Sequence, residues 1–133
     1  MARILVIDDD DVAAEVYTSL LQTFGHETSF VTSSKEAFAH LASARPDLVI
    51  LDIMMPDMNG LDLLRKLKSD KENTGLRIVI FSAMDETDWR ERAAIAGACD
   101  YWIKGGFDFG ELEERVASCL AGANQSPVHA QAV

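Results

Sequence analysis

Ile4-Leu5-Val6-Ile7-Asp8-Asp9-Asp10-Asp11 is an unbroken apolar run that stops in four carboxylates. A run without polar alternation suits a parallel strand covered on both faces. Leu48-Val49-Ile50-Leu51 and Ile78-Val79-Ile80-Phe81 have the same character. Two weaker runs differ from these. Thr28-Ser29-Phe30-Val31-Thr32 is mostly polar, and Tyr101-Trp102-Ile103 is short and flanked by Asp100 and Lys104. Both predict edge strands.

Between the runs, apolar residues recur at helical spacing. Ala13, Val16, Tyr17, Leu20, Leu21 and Phe24 line one face of a first helix, with Asp10 or Asp11 suited to its cap and Gly25 to its stop. Ser33 or Ser34 predicts the start of a second helix that runs to about Ser43, before Pro46. Leu61, Leu64 and Leu67 mark a third. Thr87 or Asp88 opens a fourth, which Gly97 closes, and Phe109, Leu112, Val116, Cys119 and Leu120 mark a fifth.

Five βα units in series predict an α/β fold with helices on both faces of a parallel sheet. Right-handed crossovers with the two weak strands at the edges give a doubly wound five-stranded sheet of order 2-1-3-4-5. Residues 1–121 are expected to form this domain. Residues 122–133 are small, polar and aperiodic, and read as a flexible tail or linker stub.

The bulk properties narrow the function. The chain has one-domain length (133 residues) and is 48% hydrophobic, enough for a core without disulfides or structural metal. No run approaches the ~20 apolar residues of a membrane span, and the first residues do not read as an export signal, so a soluble cytoplasmic protein is expected. A net charge of −10 disfavours direct contact with nucleic acid and suits a hard cation. Cys99 and Cys119 show no metal or redox spacing and read as reduced, largely buried thiols. His26, His40 and His129 are isolated and show no ligand spacing.

Ligand sites on doubly wound sheets lie at the carboxyl ends of the strands. Asp8, Asp9 and Asp10 follow the first run, Asp52 the third, Ser82 the fourth and Lys104 the fifth. Each alone has an ordinary reading as a helix cap, turn residue, loop hydroxyl or solvated charge. Together they form a set on one edge. Strands one and three would be ~4.8 Å apart, which crowds Asp8 or Asp9 against Asp52. Crowded carboxylates take up a proton or a cation, and oxygen-only ligands favour Mg2+. Lys104 and Ser82 can hold the oxygens of a transferring phosphoryl group, leaving Asp52 as nucleophile. The backbone N–H groups of Met54 and Ala83 are further candidate donors.

The ordered blocks are Ile4-Leu5-Val6-Ile7-Asp8-Asp9-Asp10, Leu51-Asp52-Ile53-Met54-Met55-Pro56-Asp57-Met58-Asn59-Gly60, Val79-Ile80-Phe81-Ser82-Ala83 and Gly97-Ala98-Cys99-Asp100-Tyr101-Trp102-Ile103-Lys104. In these the chain resembles the receiver domain of two-component response regulators, over roughly residues 3 to 121. The resemblance implies a flavodoxin-like fold with Asp52 as the phosphorylation site. It implies Mg2+ arranged by Asp8 and Asp9, with Asp52 and the backbone carbonyl of Met54 as further ligands. Ser82 and Lys104 would bind phosphoryl oxygens, and Tyr101 would be a switch aromatic. A histidine kinase or histidine phosphotransfer protein would be the donor, and the fourth helix, fifth strand and fifth helix would form the surface that reports to a downstream partner.

One departure stands out. The family usually has proline after the lysine, commonly with a cis bond, whereas this chain has Gly105-Gly106. A cis bond before a non-proline residue costs ~3 kcal/mol, so a trans Lys104–Gly105 bond and a shifted loop are expected. Two rival readings remain at this stage. Asp8-x-Asp10 also resembles the nucleophile motif of haloacid dehalogenase-type phosphatases, with Asp8 as nucleophile. Alternatively, the domain is an interaction module of the same fold that is never phosphorylated.

Overall fold

A computed structural model describes residues 2–73, 75–105 and 108–122 of the chain. The elements alternate as expected: β1 (Arg3–Ile7), α1 (Asp11–Thr23), β2 (Glu27–Val31), α2 (Ser34–Ser43), β3 (Leu48–Leu51), α3 (Gly60–Ser69), β4 (Arg77–Ser82), α4 (Thr87–Ala96), β5 (Asp100–Ile103) and α5 (Phe109–Leu120). A short 3-10 turn over Lys71–Asn73, which apolar periodicity gave no reason to expect, leads from α3 towards β4. The five strands are parallel in the order β2-β1-β3-β4-β5.

Strand alternation divides the core in two. Leu5, Ile7, Val49, Leu51, Ile78 and Ile80 face one layer with Leu61, Leu64 and Leu67 of α3 and Ala93 of α4. Ile4, Val6, Leu48, Ile50, Val79 and Phe81 face the other, with Leu21 of α1 and Leu112 and Val116 of α5. Every residue of β3 is buried, as an unbroken apolar run between two helical layers requires. β2 is polar and mostly exposed at one edge. β5 is the other edge, yet Asp100, Tyr101 and Trp102 are buried. Trp102 packs in the α1/α5 layer, edge-on to Phe81 at 6.1 Å.

Local chemistry sets the helix ends. Asp10 accepts a hydrogen bond from the Ala13 N–H, Ser33 from Glu36, Asn59 from Leu61 and Asp108 from Glu111. α4 opens at Thr87, one of the two residues expected to start it, but it is the exception in its cap: Glu86 makes no side-chain cap hydrogen bond. Ala93 is its single buried residue, and Ile95 is 86% exposed. Gly97 ends it at φ 109°, in the left-handed region that glycine enters without strain. α1 ends at Thr23, two residues before Gly25.

The Lys104–Gly105 peptide is trans, as expected from the missing proline. Gly105 has φ 77°, again open to glycine without strain. The expected loop shift falls largely on Gly106 and Phe107, and the tail on residues 123–133. Both lie outside the described residues.

Candidate functional site

Strand register assembles the site. Ile7 of β1 lies beside Leu51 of β3, and Leu51 beside Ile80 of β4. The ladders then run one residue past the strands. The Asp52 N–H donates to the Ile7 carbonyl at 2.9 Å, the Asp8 N–H to Val31 at 3.2 Å and the Lys104 N–H to Ser82 at 2.9 Å. These bonds fix Asp8, Asp52 and Lys104 by backbone contacts at one edge of the sheet. Asp52 follows the central strand, with the aspartates after β1 on one side and Ser82 at the end of β4 on the other.

Asp8, Asp9 and Asp52 bring carboxylate oxygens within 4.8 Å of one another. Asp8 and Asp52 are buried and Asp9 is exposed. Lys104 Nζ lies 2.7 Å from Asp8 Oδ2 and 3.1 Å from Asp52 Oδ2. One ammonium thus serves two buried carboxylates beside a third acid. Burial pushes the Asp52 carboxyl above its ordinary range, against the opposing pull of Lys104. Burial alone would lower the Lys104 ammonium, but its bonds to Asp8 and Asp52 outweigh burial and raise it. Phe81 supports the lysine from below, with Nζ 5.9 Å from the ring centroid.

An excess of hard oxygen donors over fixed positive charge is the environment a divalent cation satisfies. Asp8, Asp9 and Asp52 therefore fit a Mg2+ site. Asp10 does not join them: its side chain caps α1, and its N–H donates to Asp8 Oδ1 at 3.0 Å.

Ser82 is the last residue of β4 and is fully buried, so it is not a loop hydroxyl. Its Oγ accepts from the Met84 N–H at 3.1 Å. Tyr101 is also buried, and its hydroxyl donates to the Met84 carbonyl at 2.5 Å. Ser82 and Tyr101 therefore hold the same residue of the β4–α4 loop. Burial pushes the Tyr101 phenol up to about 12, so it remains a donor at any ordinary pH. The Met54 N–H donates to Asp52 Oδ1 at 3.2 Å.

Three supporting contacts were not foreseen from residue type. A Cβ on Gly60 would fall 2.2 Å from the Asp52 carbonyl oxygen and 2.6 Å from Ile53 Cα, so only glycine lets α3 start against the backbone of the acidic loop. Asp57 accepts from the Ser34 hydroxyl at 2.7 Å and from the Ser34 N–H, tying that loop to the first turn of α2. These hydrogen bonds hold the Asp57 carboxyl below its ordinary range. Asp100, buried, accepts from Trp102 Nε1 at 2.8 Å and lies 3.5 Å from Arg115 of α5. Gly60 meets Asp52 and Ile53 only once the loop after β3 folds back on itself, and Asp57's partner Ser34 lies on α2.

Among the described residues, no helix is long and apolar enough to cross a membrane. Residues 4–117 match the family model described as the response regulator receiver domain. The chain is 38% identical over 125 residues to the DNA-binding response regulator MtrA of Mycolicibacterium smegmatis, covering 94% of this chain and 53% of that protein. It is 37% identical over 118 residues to the response regulator MprA of Mycolicibacterium vanbaalenii, covering 89% of this chain and 50% of that one. The chain thus spans about half the length of these relatives. Among solved structures, a LuxR-family two-component response regulator from Aurantimonas superposes with a TM-score of 0.87 at 28% identity, covering 98% of this chain and 94% of that one. A response regulator from Chloroflexus aurantiacus gives 0.84 at 30% identity, covering 90% and 98%.

Proposed function

The chain belongs to the response regulator receiver domain family, and on that premise we propose that Asp52 accepts the phosphoryl group, with Lys104 and Ser82 binding its oxygens. A receiver domain is a phosphoacceptor in two-component signalling rather than an enzyme that turns over free substrate. This reading replaces the phosphatase alternative built on Asp8. One observation carries the choice of Asp52. It follows the central strand, so the acids after β1 and the donors after β4 and β5 flank it from opposite sides.

In the proposed step an Asp52 carboxylate oxygen attacks the phosphorus of a phosphohistidine. The N–P bond breaks, and the imidazole nitrogen keeps the electron pair. An acyl phosphate forms on Asp52. Lys104 turns from carboxylate oxygens to a phosphoryl oxygen, and the Ser82 hydroxyl donates to another. Mg2+, held by Asp8, Asp9, Asp52 and the Met54 carbonyl, would neutralise the crowded oxygens of acids and phosphoryl group. Recruiting Ser82 competes with its bond to the Met84 N–H, and Tyr101 holds the carbonyl of that same residue. Movement there reaches α4, which has a single buried residue, and so the α4-β5-α5 face.

The family implies a histidine kinase as partner. A histidine phosphotransfer protein is the other candidate donor, and a cytoplasmic setting suits both. The downstream partner would be a protein or an attached segment that reads the α4-β5-α5 face. The test is transfer of labelled phosphate from a phosphorylated kinase or phosphotransfer protein, with and without Mg2+. Label should pass to the unaltered chain only with Mg2+ and should be absent from Asp52→Asn. Equal labelling of the Asn variant would refute the assignment.

A further inference from the structure

We propose that Cys99 and Cys119 form a redox modification site, where a peroxide joins the two thiols into a disulfide tying the entrance of β5 to the last turn of α5. Cys99 directly precedes Asp100, the first residue of β5, and Cys119 is the penultimate residue of α5. They lie 20 residues apart in sequence, so no short motif marks them, yet their sulfurs are 3.6 Å apart. Both are free thiols, as the sequence suggested. Their proximity comes from α5 docking back along β5.

The two sulfurs are not equivalent. Cys119 is buried on the inner face of α5, while Cys99 is partly exposed. A small oxidant can therefore meet Cys99 first, with Cys119 waiting behind it. The hydrogen bond between the two sulfurs, together with the Lys68 ammonium, favours the thiolate on Cys99 over the opposing effects of burial and Asp100. Cys119 is held as a thiol by the same bond and by burial, with Arg77 pulling weakly the other way. The thiolate is the reactive form, so Cys99 is the attacking sulfur and Cys119 the resolving one.

The chemistry balances with hydrogen peroxide as the oxidant. The Cys99 thiolate attacks one peroxide oxygen, the O–O bond breaks, and hydroxide leaves and takes up a proton. Cys99 is then a sulfenic acid. Cys119 attacks its sulfur and gives up its proton, and the hydroxyl leaves as water. The two thiols lose two electrons, and the peroxide gains them. The sulfurs must close by about 1.5 Å to reach a bond of about 2.05 Å, within reach of a side-chain rotation at the end of a helix.

Position gives the disulfide a distinct effect. Cys99 precedes β5 and Lys104 follows it, so the bond forms at the sheet edge opposite the aspartates. Mg2+ binding should survive while α5 is clamped to β5.

The test treats the folded chain with hydrogen peroxide, then denatures it and caps free thiols with a maleimide for intact-mass and peptide analysis. The expected result is loss of two hydrogens, no maleimide on either cysteine, a Cys99–Cys119 cross-linked peptide, and full reversal by dithiothreitol. Dimedone added at early times should label Cys99 and not Cys119. In Cys119→Ser, the Cys99 sulfenic acid should persist and be trapped. If that variant does not fold, the early dimedone pattern in the unaltered chain decides the order of attack. Two capped thiols after peroxide, a disulfide only between chains, or first labelling at Cys119 would overturn the proposal.

Discussion

Asp52 sits in the site under tension: burial opposes its charge, and the single nearby lysine is shared with Asp8. Because its folded pKa is raised, folding favours the protonated form. Its stabilising contribution is present below the usual carboxylate range and is lost as pH rises through the folded value. Metal-free Asp52→Asn, which leaves Lys104 its bond to Asp8, should therefore melt above the unaltered protein at neutral pH. The gap should narrow as pH falls through the folded value and close below the usual carboxylate range; calorimetry across pH checks both. Gly60→Ala should act on the same residue from behind. A methyl group in contact with the Asp52 carbonyl should cost about 1–3 kcal/mol in denaturant titrations and slow phosphoryl uptake. At this scale, the meeting of Asp8, Asp9 and Asp52 and the position of Lys104 beside them were legible from the strand ends. Gly60 against Asp52, Asp57 on Ser34, and the paired thiols were not, because each depends on a partner brought close by tertiary structure.

The elements differ in how firmly they are held, and α4 is weakly anchored. It has no side-chain cap at its start, one buried residue, and a glycine stop at φ 109°. α3, by contrast, buries Leu61, Leu63, Leu64 and Leu67. An element proposed to shift on phosphorylation is expected at the weakly anchored end of this range. Gly97→Ala should strain that stop by about 1–2 kcal/mol. The added Cβ would also meet Lys68 Cγ at 3.1 Å, on a flexible side chain that can give way. Urea titration should show the loss, and hydrogen exchange should show faster opening in α4 than in α3. Strand order was legible because the three unbroken apolar runs had to be central and the two broken ones peripheral. The burial of β5 was not, since a short strand beside Asp100 and Lys104 does not reveal that Trp102 and Arg115 satisfy that acid within the core. The Lys71–Asn73 turn was not legible either, as it lacks apolar spacing.

Across the whole molecule the net charge is −10, and three of its acids crowd within 4.8 Å of one another. A cation bound there stabilises the folded state by mass action, about 2.7 kcal/mol at a hundredfold excess over its dissociation constant. Mg2+ should raise the melting temperature more than NaCl of equal ionic strength. Asp9→Asn, altering an exposed acid, should leave metal-free stability within about 0.5 kcal/mol and reduce the Mg2+ effect. An equal shift with NaCl would mean that general screening is responsible. The most direct test is to phosphorylate the chain with acetyl phosphate and Mg2+, reduce the acyl phosphate with borohydride, and map the product by mass spectrometry. Homoserine at position 52, and at no other aspartate, is the predicted result. Homoserine at Asp8, or a chain left unmodified at saturating Mg2+, would contradict the account.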